Sequence, residues 1–257
     1  MVYQVELNLA TSLALQAGQM QMNYYQQEIA TQVKFDGSVV TAIDQNCEKL
    51  IRRGIETRFK SDGILGEEFG NKPTENSRRW IVDPLDGTLP YLRGMPTFSV
   101  LIALEDEGKV VMGVIYLPAL SLLCYGAKGM GAFCNNQRVH VSKTTRLQDA
   151  VGSSLGIVTH SDKPEGIQLL QLMRNSYISY GFMDAYTYCA IARGQIDFSV
   201  NLLDTSWDRA PAICLIEEAG GRFSNLNGEQ VIDGYGTVLS NGILHDTVLK
   251  YFKNREG

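Results

Sequence analysis

The sequence is poor in several features that would announce a function. It has no apolar run approaching the roughly 18 residues of a membrane-spanning helix, so no membrane span is expected. It has no block of basic residues; 23 Lys and Arg stand against 28 Asp and Glu, a net charge of −5. Nothing in it can track a phosphodiester backbone, and nucleic-acid binding is excluded as a first reading. The five cysteines (Cys47, Cys124, Cys134, Cys189, Cys214) form no C-x-x-C and no Cys/His spacing, which excludes a zinc site. They read as reduced, mostly buried thiols. The first twenty residues carry no basic segment followed by an apolar one, so no signal peptide is expected and a cytoplasmic location is inferred. Only three histidines occur, His140, His160 and His245, far apart in the chain, and each reads as a surface or structural residue.

What is present is ordinary for a globular protein. With 257 residues and 44% hydrophobic residues, the length suits one large domain or two closely joined ones. Apolar residues at spacings of three and four predict a helix over 4–29 and a second over 42–59 with Thr41 as its N-cap. Gly63 to Glu67 reads as a short strand entering a polar loop over 70–78. From 97 to 141 the pattern shifts to period two with turn signals, as in an antiparallel meander. Strands are expected at 151–155, 196–200 and near Phe223, and helices at 164–174, 184–193, 206–219 and 243–253. This mixture points to a layered α/β (α+β) fold. The chain is taken as a single unit over 1–257, with halves 1–150 and 151–257 meeting near Gly152–Ser154.

The most informative segment is Trp80-Ile81-Val82-Asp83-Pro84-Leu85-Asp86-Gly87-Thr88. An apolar strand delivers two carboxylates to its C-terminal end. Pro84 disfavours a helical conformation at Asp83, so the chain turns there. Alone, the segment also reads as a strand end with an Asp turn and a helix cap. Other acids stand at element ends: Asp44 at a helix start, Gly66-Glu67-Glu68 after a strand, and Trp207-Asp208 opening a late helix. Brought together, such carboxylates would repel unless a hard divalent cation neutralised them, and all-oxygen ligands select Mg²⁺, Mn²⁺ or Ca²⁺ over zinc. Cations would also supply the positive charge that an anionic ligand needs.

Four segments in order resemble the Mg²⁺-dependent, lithium-sensitive phosphatase superfamily typified by inositol monophosphatase. Val40-Thr41-Ala42-Ile43-Asp44 resembles its V-T-x-x-D, Gly66-Glu67-Glu68 its G-E-E, and Trp80 to Thr88 its W-[IV]-[IVL]-D-P-[IL]-D-G-T. Trp207-Asp208 with Glu218-Ala219-Gly220-Gly221 resembles W-D-x-A…E-A-G-G. The resemblance implies an αβαβα sandwich of the inositol monophosphatase and fructose-1,6-bisphosphatase type, and metal-dependent hydrolysis of a phosphate monoester. It implies two to three Mg²⁺ ions, with Mn²⁺ as a substitute and lithium as an inhibitor. Glu67, Asp83 and the carbonyl of Leu85 would hold the first ion. Asp83, Asp86 and Asp208 would hold the second, and a third, weaker ion would lean on Glu67. Gly87 and Thr88 would bind phosphate, and Asp44 with Thr88 would position and deprotonate the attacking water. A homodimer is implied as well.

The substrate is less marked. At seven residues before Asp208, inositol phosphatases carry a Glu and histidinol-phosphate phosphatases an Asp; here stands Asn201. Asn can hydrogen-bond a hydroxyl but offers no charge to an ammonium group, which favours a polyol phosphate such as inositol 1-phosphate. Met183-Asp184-Ala185-Tyr186-Thr187-Tyr188 and Lys34-Phe35-Asp36-Gly37-Ser38 instead resemble segments of the histidinol-phosphate phosphatases. They make Asp184 a candidate substrate contact and histidinol phosphate an alternative substrate; fructose 1,6-bisphosphate is a further one. A non-catalytic regulatory protein that kept the fold is the competing class. The presence of Asp44, Glu67, Asp83, Asp86, Thr88 and Asp208 together favours the enzyme.

Overall fold

The computed structural model describes residues 2–33, 39–181 and 184–253, with Asp184 described in its backbone only. In chain order the elements are α1 (Gln4–Tyr24), β1 (Thr31–Val33), β2 (Val39–Thr41), α2 (Ala42–Arg58), β3 (Gly63–Gly66), β4 (Gly70–Lys72), β5 (Arg78–Asp86) and α3 (Thr88–Leu92). The meander follows as β6 (Ser99–Asp106), β7 (Lys109–Leu117), β8 (Leu122–Ala127), β9 (Gly131–Cys134) and β10 (Gln137–Val139). Next come β11 (Val151–Leu155), α4 (Pro164–Asn175), β12 (Ile178–Tyr180), α5 (Asp184–Ala192) and β13 (Phe198–Asn201). The last are α6 (Ser206–Glu218), β14 (Arg222–Ser224), β15 (Thr237–Ser240) and α7 (His245–Lys253).

Among the described residues, eight strands form one sheet in the order β10-β9-β8-β7-β6-β5-β3-β4, and five form another in the order β12-β11-β13-β15-β14. Three apolar cores hold five layers together. The stripe of α1 (Leu7, Ala10, Leu13, Ala14, Ala17) and that of α2 (Ile43, Cys47, Ile51, Ile55) pack on one face of the large sheet. Residues of α5 and α6 lie between the two sheets, against Ile81, Leu101, Ala103 and Ile115 on one side and Phe223 and Leu239 on the other. Beneath the small sheet, Leu169 and Leu172 of α4 meet Val248, Leu249 and Phe252 of α7. The expected αβαβα sandwich is therefore the fold. The continuous apolar run Trp80–Val82 follows from this layering, because both faces of β5 are covered.

Several boundaries differ from the sequence reading. The first helix stops at Tyr24 rather than 29, because Tyr25 leaves the helical path to pack on Phe98 at 4.9 Å and to donate its hydroxyl to the Gly94 carbonyl at 2.6 Å. The expected loop 70–78 contains β4, an edge strand paired with β3. Its polar residues face solvent, so no alternation marks it. β10 completes the expected meander, whereas β1, β2, β12 and β15 were not expected. The cysteine reading needs one correction. Cys124 and Cys134 stand directly opposite on antiparallel β8 and β9 and are joined in a disulfide, a pairing that only the strand register brings about. Cys47, Cys189 and Cys214 are free and buried, as expected.

Candidate active site

The site forms where β3 and β5 end. These two strands are parallel, with Gly66 opposite Val82, so Glu67 and Asp83 leave the sheet side by side. The N–H of Glu67 donates to the Val82 carbonyl at 3.2 Å, which extends the pairing by one step. In a regular strand Asp83 and Asp86, three apart, would face opposite sides. Here the register against β6 shifts: Asp83 pairs with Leu101 and Asp86 with Ser99, so Pro84 and Leu85 together oppose one residue. This is a β-bulge, and Pro84, which has no N–H to pair, suits it. Its effect is visible in the packing. Leu85 joins Trp80 and Val82 in the core under α1 and α2, while Asp86 turns to the side that Asp83 faces. The Asp83 carboxylate accepts the N–H of Leu85 at 3.0 Å, which closes the turn. The buried Gln21 of α1 donates to the Pro84 carbonyl at 2.8 Å from behind.

The remaining acids arrive by one device used twice. Thr41-Ala42-Ile43-Asp44 and Thr205-Ser206-Trp207-Asp208 are both capping boxes. In the first, one oxygen of Asp44 accepts the N–H of Thr41 at 2.8 Å and its hydroxyl at 2.5 Å. The other oxygen lies 3.1 Å from the hydroxyl of Thr88. In the second, one oxygen of Asp208 accepts the N–H and hydroxyl of Thr205 at 2.7 and 2.9 Å. Capping fixes each carboxylate through one oxygen and leaves the other for the cleft. The repeated T-x-x-D was a readable signal for this geometry.

Asp83, Asp86 and Asp208 offer ligand oxygens that all lie within 4.8 Å of one another. Glu67 hydrogen-bonds with Asp83, and the charges of Glu67, Asp86 and Asp208 add to burial in pushing the Asp83 carboxyl well above the usual range. Burial also raises Asp208, against the bonds from Thr205 and the charge of Arg209. It raises Asp44, against the bonds from Thr41 and Thr88. Asp86 is held by the hydroxyl of Ser99 at 2.7 Å and the N–H of Ala185 at 3.1 Å. Four gathered acids built only of oxygen donors fit a hard divalent cation, whose charge would offset the burial and the repulsion that together raise Asp83. Ser99 and Gln21, which support the bulge, carry no signal in the sequence.

The phosphate candidates stand beside this group. Gly87 adopts a left-handed conformation (φ 76°, ψ 45°), which lets the chain leave β5 and enter α3 at Thr88. The Thr88 hydroxyl is also 3.2 Å from the Leu85 carbonyl. Asn201 lies differently from a free substrate contact. It is buried, its carbonyl oxygen accepts the N–H of Leu203 at 2.8 Å, and its amide nitrogen donates to Asp204. Asp204 also accepts the hydroxyl of Tyr188 at 2.5 Å. Burial and the nearby Asp208 push Asp204 up to about 7. The side chain of Asp184 and the segment Lys34 to Ser38 lie outside the described residues.

The profile of the inositol monophosphatase family matches residues 3–256. A histidinol-phosphatase of Chlorobaculum parvum is 36% identical over 98% of both chains. An inositol-1-monophosphatase of Mesorhizobium japonicum is 33% identical over 96% of both. The crystal structure of the extragenic suppressor protein suhB from Bartonella henselae superposes with a TM-score of 0.91 at 29% identity, covering 98% of this chain and all of that one. Sequence, architecture and the acidic cluster agree: the chain belongs to the inositol monophosphatase family and is a phosphomonoesterase of it.

Proposed function

We propose that the chain hydrolyses the phosphate monoester of a small alcohol with Mg²⁺ as cofactor. The observation that carries this reading is the meeting of Asp83, Asp86 and Asp208 within 4.8 Å, beside a hydroxyl–carboxylate pair. Glu67, Asp83 and the Leu85 carbonyl would hold one ion, and Asp83, Asp86 and Asp208 another, with a weaker third at Glu67. Bound there, Mg²⁺ supplies charge that neutralises the phosphoryl oxygens and lowers the pKa of water. The protein's own part is positioning. The N–H groups at Gly87 and Thr88 hold a phosphoryl oxygen. The Thr88 hydroxyl orients the attacking water, and Asp44, fixed through its capping oxygen, takes up its proton with the other. Burial raises the affinity of Asp44 for a proton, which suits a base.

For the alcohol, histidinol phosphate is the first substrate to test. Support comes from the full-length similarity to a histidinol-phosphatase. The polyol reading rested on a free Asn201, and both ends of that amide are engaged within the protein. Inositol 1-phosphate is the second reading, supported by a relative of nearly equal similarity. The test is phosphate release from histidinol phosphate, inositol 1-phosphate and fructose 1,6-bisphosphate, each with Mg²⁺ and with EDTA. Release that needs Mg²⁺ and is highest with histidinol phosphate is expected. Equal release in EDTA overturns the metal-dependent reading, and a preference for inositol 1-phosphate overturns the substrate.

A further inference from the structure

One fully buried carboxylate has no part in the chemistry above. Glu48 lies on α2, one turn after Asp44, with no solvent exposure. It points across the end of β3. One oxygen accepts the N–H of Glu68 at 2.7 Å. The other accepts the N–H of Phe69 at 3.2 Å and the Nε of Arg52 at 2.7 Å. Arg52 also reaches over to the Gly70 carbonyl. The chain passes so close that a Cβ on Gly66 would sit 2.0 Å from a Glu48 oxygen, so any larger residue there must displace the Glu48 carboxylate.

This arrangement brackets a single residue. Glu67 is tied through its own N–H to Val82 on β5, and the two N–H groups that follow it are gripped by Glu48. Its backbone is therefore held on both sides, and its side chain hydrogen-bonds with Asp83. Two consecutive N–H groups pointing one way form a cradle of the kind that elsewhere holds an anion. Here the protein fills that cradle with its own charge. We propose that Glu48 is a positioning residue: by clamping the 67–69 turn it fixes Glu67 as a metal ligand and sets the affinity for the first divalent ion. This rests on the metal-site reading above. Groups that orient metal ligands typically contribute about 10- to 100-fold in affinity or activity. α2 would then serve the site from two successive turns, Asp44 toward the water and Glu48 toward the metal.

The test is Mn²⁺ binding to the metal-free protein, followed by electron paramagnetic resonance and calorimetry. Wild type, Glu48→Gln, Glu67→Gln and the double variant are compared, with circular dichroism in EDTA as a check on the fold. An amide at 48 turns an N–H donor toward the N–H of Glu68 or Phe69, so the turn releases. Glu48→Gln is expected to weaken Mn²⁺ binding by about 10-fold or more, and to add little in the Glu67→Gln background. A folded Glu48→Gln that binds Mn²⁺ as wild type does overturns the proposal, as does full additivity in the double variant. Should Glu48→Gln fail to fold, Arg52→Met carries the test: weakened Mn²⁺ binding supports the clamp, and unchanged binding overturns it. A wild-type chain that takes up no Mn²⁺ removes the metal-site reading itself. A wild type whose affinity falls in Glu67→Gln but not in Glu48→Gln removes only this inference.

Discussion

Replacing Asp83 with Asn should change the sign of its effect on stability when metal is added. Asn has the same shape and keeps the oxygen that accepts the Leu85 N–H at 3.0 Å. It removes the charge that faces Asp86 and Asp208 within 4.8 Å. Two ionised carboxylates at that distance repel by about 3 kcal/mol at an effective dielectric near 20. Asp83 has two such neighbours. Proton uptake relieves much of the repulsion in the wild type, as the raised Asp83 carboxyl reflects. A net gain of about 2 kcal/mol is therefore expected for Asp83→Asn in EDTA near pH 8, roughly 4–8 °C in Tm for a chain of this size. With Mg²⁺ at a hundredfold excess over its Kd, the wild type should gain about 2.7 kcal/mol by mass action, and the variant should not. The order of stability then reverses. Thermal melts of both proteins with EDTA and with Mg²⁺ read this directly. A variant less stable than wild type in EDTA, or one that responds equally to Mg²⁺, would refute the reasoning. Turnover by Asp83→Asn should be lost in either case.

Three further outcomes are expected. Asp44→Asn should lower kcat by about 10²- to 10⁴-fold, the usual weight of a positioned base, while Mn²⁺ titration by calorimetry stays as in wild type. In EDTA the folded protein should be more stable at pH 5 than at pH 8. Asp83 and Asp208 are raised, and burial pushes Asp204 up to about 7, so the native state keeps protons that the unfolded chain has released, against the opposite and smaller effect of the single His245, which burial pushes down to about 4. Stability therefore falls as pH rises from about 4 through those values, and a higher Tm at pH 8 would contradict this. Gly66→Ala should cost about 1–3 kcal/mol in urea unfolding through overpacking, because its Cβ meets the Glu48 carboxylate at 2.0 Å.

How much of this was legible depends on what fixes each residue. The acids at element ends could be singled out because strand ends and helix starts have local signatures. Asp83-Pro84 stops a strand, and Thr41 and Thr205 each begin a helix three residues before an acid. A layered α/β fold followed from the change of period along the chain, and the five-layer order from the family resemblance. Glu48 was not legible. In Glu48-Lys49-Leu50-Ile51-Arg52 it reads as one half of an ordinary i, i+4 pair on a solvated face; only the passage of residues 66–70 over α2 buries it. Asn201 was misleading in the same way. Its side chain looked available because the turn after β13, which folds Leu203 and Asp204 back onto its amide, has no marked signature in the sequence. The disulfide needed the register of β8 on β9.

The bulge in β5 makes chain length a question of parity. Pro84 and Leu85 occupy one step of the ladder between Leu101 and Ser99. Gaining one residue there would send the Asp86 carboxylate to the opposite surface of the sheet, into the hydrocarbon beneath α1 and α2, whereas losing one would abolish the bulge and leave the two acids on one face as in a regular strand. Gaining two would restore its direction but carry it about 7 Å along the strand, beyond the reach of Asp208. A change of side chain at Pro84 does not reverse that direction, whereas Leu85 is buried in the core under α1 and α2. What must be kept at this turn is the direction of Asp86, and a mutational scan should find a one-residue insertion there more damaging to the acidic cluster than a change of side chain at Pro84.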